Sequence, residues 1–192
     1  MNTFVPTRDD ALNLLKKYNQ KKGLIRHALA VEAVMGHFAG LFNEDEEKWR
    51  VIGLVHDLDY EMFPGEHCQK CVDLFKEHNW PGDYIRAVIS HGFGICTDVK
   101  PETNLEKTLY AIDELTGLVA SAALVRPSKS ILDIKAKSVK KKFKDKSFAA
   151  KIDRNVIKEG ASLLDMELSE LITQVISGMR PVAEKIGLKG SL

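Results

Sequence analysis

The chain has 192 residues, with 28 Lys+Arg against 27 Asp+Glu for a net charge of +1, and 44% of its residues are hydrophobic. That length suits one domain with a sizeable buried core, and the composition excludes a disordered, collagenous or disulfide-scaffold chain. The balanced charge provides no global field for nucleic acid or an anionic membrane surface, so partners must be read from local features.

Three cysteines, Cys68, Cys71 and Cys96, are an odd number that cannot all pair, which fits reduced thiols in a cytosol. The first residues, MNTFVPTRDDALNLLKK, meet acidic groups before any apolar run of signal-peptide length. Nowhere is there an uninterrupted apolar stretch of about 18 residues. A cytoplasmic location without membrane partners is the expectation.

Helical spacing dominates the chain. Leu24, Ala28, Val31, Met35, Phe38 and Phe42 recur at steps of 4, 3, 4, 3 and 4, an amphipathic stripe. A second helix is expected after Asn43, read as its cap with Glu46 three residues on, and its stripe runs Trp49, Ile52, His56. A third follows Pro64-Gly65 with Cys71, Leu74 and Phe75, and breaks near Asn79-Trp80-Pro81-Gly82. A short fourth, from about Asp83 to His91, ends at Gly92 and enters GFGICTDVKPET, the longest irregular stretch and a candidate lid or pocket wall.

Thr103-Asn104-Leu105-Glu106 then reads as a capping box opening a long apolar helix through Asp113 to Leu124. Arg126-Pro127-Ser128 breaks it. A lysine-rich helix is expected near 131 to 144, another near 153 to 164, and a last from Met166 towards Ile186 with Pro181 as a kink. No repeat or linker marks a second domain, so the expectation is one all-α domain over 1–192. Its last part, from about 126, either covers the bundle or makes a homodimer.

The informative residues are His27, His56-Asp57, His67, His91 and Asp113, each in or beside a predicted helix near an apolar stripe. A core carboxylate is costly unless paired or bound to a metal, so Asp57 in LVHD and Asp113 in LYAIDEL both demand partners. Any one histidine reads as well as a satisfied core residue. Four histidines and two aspartates on successive helices point instead to a site between facing helices, and imidazole with carboxylate suits a divalent transition metal.

The order His27, then His56-Asp57, then Asp113 resembles the H…HD…D signature of the HD superfamily of metal-dependent phosphohydrolases, over roughly residues 24 to 125. WRVIGLVHDLDY places the dipeptide at a helix end as in that family, and AIDELTGL is similar to its later "AD-x-L" helix. The resemblance implies an all-α HD bundle in which His27, His56, Asp57 and Asp113 ligate one metal. A two-metal variant of the family adds two histidines between the HD pair and the last aspartate. His67 and His91 resemble those extra ligands, with Asp57 bridging the ions. One or two ions of Mn, Fe, Ni, Co or Zn are therefore implied. They would activate water for in-line displacement at phosphorus, so that no covalent nucleophile is needed.

The leaving group needs a proton, and Glu61 and Asp59, in HDLDYE beside the ligands, are the nearest carboxyl candidates besides Asp57 itself. Many family members carry a lysine shortly after the HD pair; this chain has none there, and Arg126, Lys129 and Lys135 in RPSKSILDIK are the candidate substrate-phosphate contacts. The stretch from Lys135 to Lys146 holds seven lysines and one aspartate but little aromatic interleaving, so a solvated face is expected rather than a nucleic-acid surface. Cys68-Gln-Lys-Cys71 lacks the further ligands of a zinc knuckle and the βαβ setting of a redox motif. His37 and His78 read as surface or core-edge residues.

With HDLDYE, EHCQKC, SHGFGICTD and ALVRPSKS, the whole chain resembles a bacterial branch of predicted HD hydrolases. A phosphohydrolase acting on a small phosphate ester or anhydride, a nucleotide for choice, is the reading this implies. The same ligand set also resembles the superfamily's mixed-valence di-iron oxygenases, and a non-catalytic nucleotide-sensing module is the third reading.

Overall fold

The computed structural model describes residues 4–191. Among these, nine α-helices and two short 3-10 turns make up the regular structure, and no strand forms beyond an isolated bridge between Phe93 and Thr97. The fold is all-α, as the spacing predicts. None of these helices is long and apolar enough to cross a membrane.

The first helix, α1 (Arg8–Tyr18), is not among those expected from the sequence. A Thr7/Asp10 capping box opens it, and Ala11, Leu14 and Leu15 bury its apolar face. Helix α2 (Lys22–Phe42) carries the first stripe and is the spine of the molecule. It ends at Asn43 in the left-handed conformation, φ 54°. Asn43 therefore terminates α2 instead of opening the next helix; Asp45 caps α3 (Glu46–Val55) by accepting from the Lys48 backbone N–H. Asparagine suits that ending because its short polar side chain tolerates positive φ.

Helix α3 stops at His56, and the chain turns through Asp57–Met62 before the 3-10 turn at Pro64–Glu66. Helices α4 (Gln69–Glu77) and α5 (Gly82–Ser90) follow, α5 ending on His91. Helix α6 (Asn104–Leu124) opens with the expected capping box, the Thr103 side chain accepting from the Glu106 backbone and Glu106 reaching back. It lies against α2 and buries Leu109, Ile112, Leu115 and Val119.

The lysine-rich helix starts later than expected. Residues 126–135 form a loop, because Ile131 N–H is taken by Leu188 O at 2.8 Å and Ile134 O accepts from Arg180 at 3.0 Å. Helix α7 (Ala136–Lys144) then buries only Val139 and Phe143. Helix α8 (Arg154–Leu163) crosses α6, and α9 (Leu168–Met179) packs on α2 before the chain tightens into a 3-10 turn at Arg180–Val182, where Pro181 lacks an N–H. The α8 crossing depends on Gly160, where a Cβ would lie 2.6 Å from Ala111 Cβ. Leu171, Ile172, Val175 and Met179 belong to the same buried cluster as α2, α3 and α6.

Candidate metal centre

Five helices end or turn towards one point. His27 comes from the second turn of α2, His56 and Asp57 from the end of α3, His67 from the segment before α4, His91 from the end of α5 and Asp113 from the middle of α6. Helix ends supply most of these groups because a residue leaving a helix can aim its side chain along the axis into the space between neighbours.

The groups face one another in two sets. His27 Nε2 lies 2.8 Å and His56 Nε2 3.3 Å from Asp113 Oδ1, and Asp57 Oδ2 is 3.5 Å from His56 Nε2 and 4.0 Å from His27 Nε2. The other oxygen, Asp57 Oδ1, is 3.5 Å from both His67 Nε2 and His91 Nε2, which are 3.2 Å apart. Asp57 thus turns one oxygen to each set.

The far nitrogens of three rings are anchored. His56 Nδ1 is 2.8 Å from Gly53 O, His91 Nδ1 2.5 Å from Val88 O, and His67 Nδ1 2.7 Å from Asp59 Oδ1. A carbonyl accepts only from N–H, so in the neutral rings of His56 and His91 Nε2 carries the free lone pair. His56 Nε2 is nevertheless buried without a hydrogen-bond partner. A buried acceptor aimed at two carboxylates and left unsatisfied is costly in an empty site and well placed for a cation. The donor set of imidazoles and carboxylates is that of a divalent metal, and one ligand atom from each of His27, His56 and Asp57 lies within 4.8 Å of the others.

Charge in the cluster is mutually supported. Burial works against ionisation of Asp57 and Asp113, but the imidazole of His56 and its neighbours hold both carboxylates below their usual range. Burial likewise opposes protonation of His91, and Asp57 outweighs it, raising the imidazole to about 9. His27 and His67 are raised in the same way against burial, by Asp113 and Asp59 respectively.

A cavity of about 330 Å³ opens onto this cluster, lined by five of the six residues together with Tyr60, Gly92, Ile95, Cys96, Glu114 and Val156. The Gly92–Asp98 loop is therefore a wall of the pocket. Glu114 and Tyr60 escaped the sequence reading, though Glu114 stands beside Asp113 in AIDEL. Burial, and then the charge of Asp113, push the Glu114 carboxyl up to about 7.

The other sequence candidates lie elsewhere. Asp59 is fully buried, both oxygens engaged by His67 Nδ1 and, at 2.9 Å, the Cys71 backbone N–H, so it orients the His67 ring and does not line the cavity. Glu61 caps the start of α2, accepting from the backbone N–H of Gln20 at 2.8 Å and of Lys21 at 2.9 Å. Neither position suits a proton donor to substrate. Arg126 is bound to Asp133 at 2.7 Å, exposed Lys129 sits in the loop at φ 50°, and exposed Lys135 precedes α7. None of the three lines the cavity, whose described lining contains no Lys or Arg. His37 bonds Gln174 at 2.8 Å and His78 meets Lys17 at 3.3 Å, as residues outside the site.

Comparison with known proteins gives matches to part of the chain. Ribonuclease Y of Oleidesulfovibrio alaskensis is 28% identical over 100 residues, which are 50% of this chain and 18% of that relative. Ribonuclease Y of Nitratidesulfovibrio vulgaris strain DP4 is 29% identical over the same extents. The chain thus spans under a fifth of the length of these curated relatives. No solved structure gives a significant match. Residues 24–118 match the HD domain, and these residues carry His27, His56-Asp57, His67, His91 and Asp113 in their observed convergence; this segment of the chain belongs to the HD domain family.

Proposed function

We propose that the protein hydrolyses a phosphate ester or anhydride of a small molecule, with a nucleotide as the favoured class, using one or two divalent metal ions held by His27, His56, Asp57, Asp113, His67 and His91. The observation that carries this reading is the split of Asp57, one oxygen towards each group of imidazoles, at the floor of a cavity of about 330 Å³. Bound there, the metal would supply an activated water and neutralise phosphoryl charge.

The protein's own residues account for the rest. Anchored Nδ1 atoms fix three rings with Nε2 inward, and Asp57 and Asp113 stay ionised. With no basic side chain on the described lining, substrate phosphate depends on the centre itself for its countercharge. Glu114, on the wall beside Asp113, is the carboxyl placed to carry the leaving group's proton.

A second reading takes an RNA phosphodiester as substrate. The relatives named Ribonuclease Y favour it, as does a cavity of about 540 Å³ at α7 and α8 that includes Lys140, Lys144, Lys146, Arg154 and Lys158 in its lining.

Elemental analysis of protein purified without added metal, then turnover of nucleotides and a short oligoribonucleotide with and without divalent ions, tests both. About one or two metals per chain, lost in Asp57→Ala, with metal-dependent release of phosphate from nucleotides, supports the first. Cleavage confined to the oligoribonucleotide and weakened by salt supports the second. Bound iron with oxygen uptake would replace both by oxygenase chemistry, and absence of metal even after reconstitution would overturn the site.

A further inference from the structure

Two thiols that hydrolysis does not use meet at the edge of this cavity. Cys96 Sγ lies 2.7 Å from Cys68 Sγ, while the third cysteine, Cys71, is buried with its backbone N–H on Asp59. Cys68 is buried and directly follows His67; Cys96 lines the cavity on the wall that begins one residue after His91.

The backbone is shaped to bring these sulfurs together. Cys68 adopts φ 66°, ψ −37°, which a residue with a Cβ rarely does. Cys96 is folded back over Gly92 by a tight turn in which Gly92 O accepts from Ile95, Cys96 and Thr97 at 3.0, 2.9 and 3.2 Å. Gly92 in turn leaves room for the thiols, since a Cβ there would overlap both sulfurs. Three separate features of the chain, a strained residue, a turn and a glycine, serve one sulfur pair.

Resting on the metal-centre reading above, we propose that Cys68 and Cys96 are a reversible redox pair, oxidised by a hydroperoxide to a disulfide that displaces His67 relative to His91 and weakens metal binding there. In the first step Cys96 sulfur attacks the outer oxygen of the peroxide, the O–O bond breaks, that oxygen stays on sulfur as a sulfenic acid, and the inner oxygen leaves with a proton as alcohol, or as water from hydrogen peroxide. Cys68 sulfur then attacks that sulfur, the S–O bond breaks, and water leaves with the remaining proton. In sum two thiols lose two electrons and two protons, and one hydroperoxide becomes an alcohol and a water. A disulfide bond is about 2.0 Å long, so the sulfurs must close by about 0.7 Å, drawing the residue after His67 towards the loop after His91.

The test uses the whole 192-residue chain, first stripped of metal. One equivalent of hydrogen peroxide should remove two of the three thiols, lower the mass by two hydrogens and be reversed by dithiothreitol. Trypsin cuts after Lys70, so Cys68 and Cys71 fall in different peptides, and the crosslink should join the Cys68 peptide to the Cys96 peptide with Cys71 unmodified. Cys96→Ser should yield no crosslink. Binding of manganese or zinc to the oxidised protein, measured by calorimetry, should be about tenfold weaker or more, the range seen when groups supporting metal ligands are disturbed. Sulfinic acid without a crosslink, or a crosslink through Cys71, overturns the pair; equal metal binding in both redox states overturns its effect on the centre. The crosslink is read without metal or substrate, so failure of the hydrolase reading leaves it standing, and metal-dependent turnover without the crosslink refutes the pair alone.

Discussion

Asp59 and Glu61 show how residue type and residue role separate. Both stand next to the HD dipeptide and both are carboxylates, but one faces inward to the far nitrogen of His67 and the other outward to a helix start. Asp59→Asn keeps an acceptor for His67 while setting an amide donor against the Cys71 N–H. The expected result is metal affinity reduced about 10- to 100-fold, measured by calorimetry. Unchanged affinity with lost turnover would return Asp59 to the role of acid. For Glu61 the prediction concerns stability. The backbone donors at Lys21 and Gln20 lower its pKa below 4.5, so the carboxylate stabilises the fold above that pH and the contribution is lost as pH falls through the depressed folded value. Glu61→Gln should melt lower than the parent at pH 7, with a smaller difference at an acid pH below 4.5, and should retain turnover. A gap of the same size at both pH values would show that charge is not involved.

At the scale of elements, the apolar stripe of α2 and the capping box of α6 made those helices readable, because their signals lie within a few residues of one another. The ligands were readable for a related reason: polar groups on apolar stripes have few uses. What escaped depended on distant partners. Asn43 and Asp45 are both good caps in isolation, and the left-handed turn at Asn43 decides between them. The segment 131–135 has helical spacing, but its backbone groups are claimed by Leu188 and Arg180, far along the chain. Glu114 joined the site only through the packing of α6 and α8 around the cavity. That crossing makes a prediction of its own. Gly160→Ala inserts a methyl between α8 and Ala111, and the overpacking should cost about 1–3 kcal/mol in urea unfolding. Because α8 supplies Val156 to the cavity wall, substrate KM should rise while metal stoichiometry holds; unchanged stability would mean the helices separate freely.

For the whole molecule, the proposed centre couples regions far apart in sequence, since its candidate ligands are spread from α2 to α6, and α9 packs on α2 as well. A metal bound only by the folded arrangement must stabilise that arrangement by mass action, about 2.7 kcal/mol at a free concentration a hundred times the dissociation constant. Manganese or zinc should therefore raise the melting temperature in proportion to the logarithm of its concentration, and a chelator should bring it back to the metal-free value. His56→Ala should abolish the rise, because it removes a buried nitrogen that has no other partner. His37→Ala and His78→Ala should leave the rise intact, as their rings bond to Gln174 and Lys17 away from the cavity. If all three variants lost it equally, the stabilisation would come from general packing and the six residues would be a hydrogen-bonded network rather than a metal site. If His56→Ala alone lost it, the fold's stability and its chemistry would share one set of side chains, as the buried, unpartnered nitrogen of His56 requires.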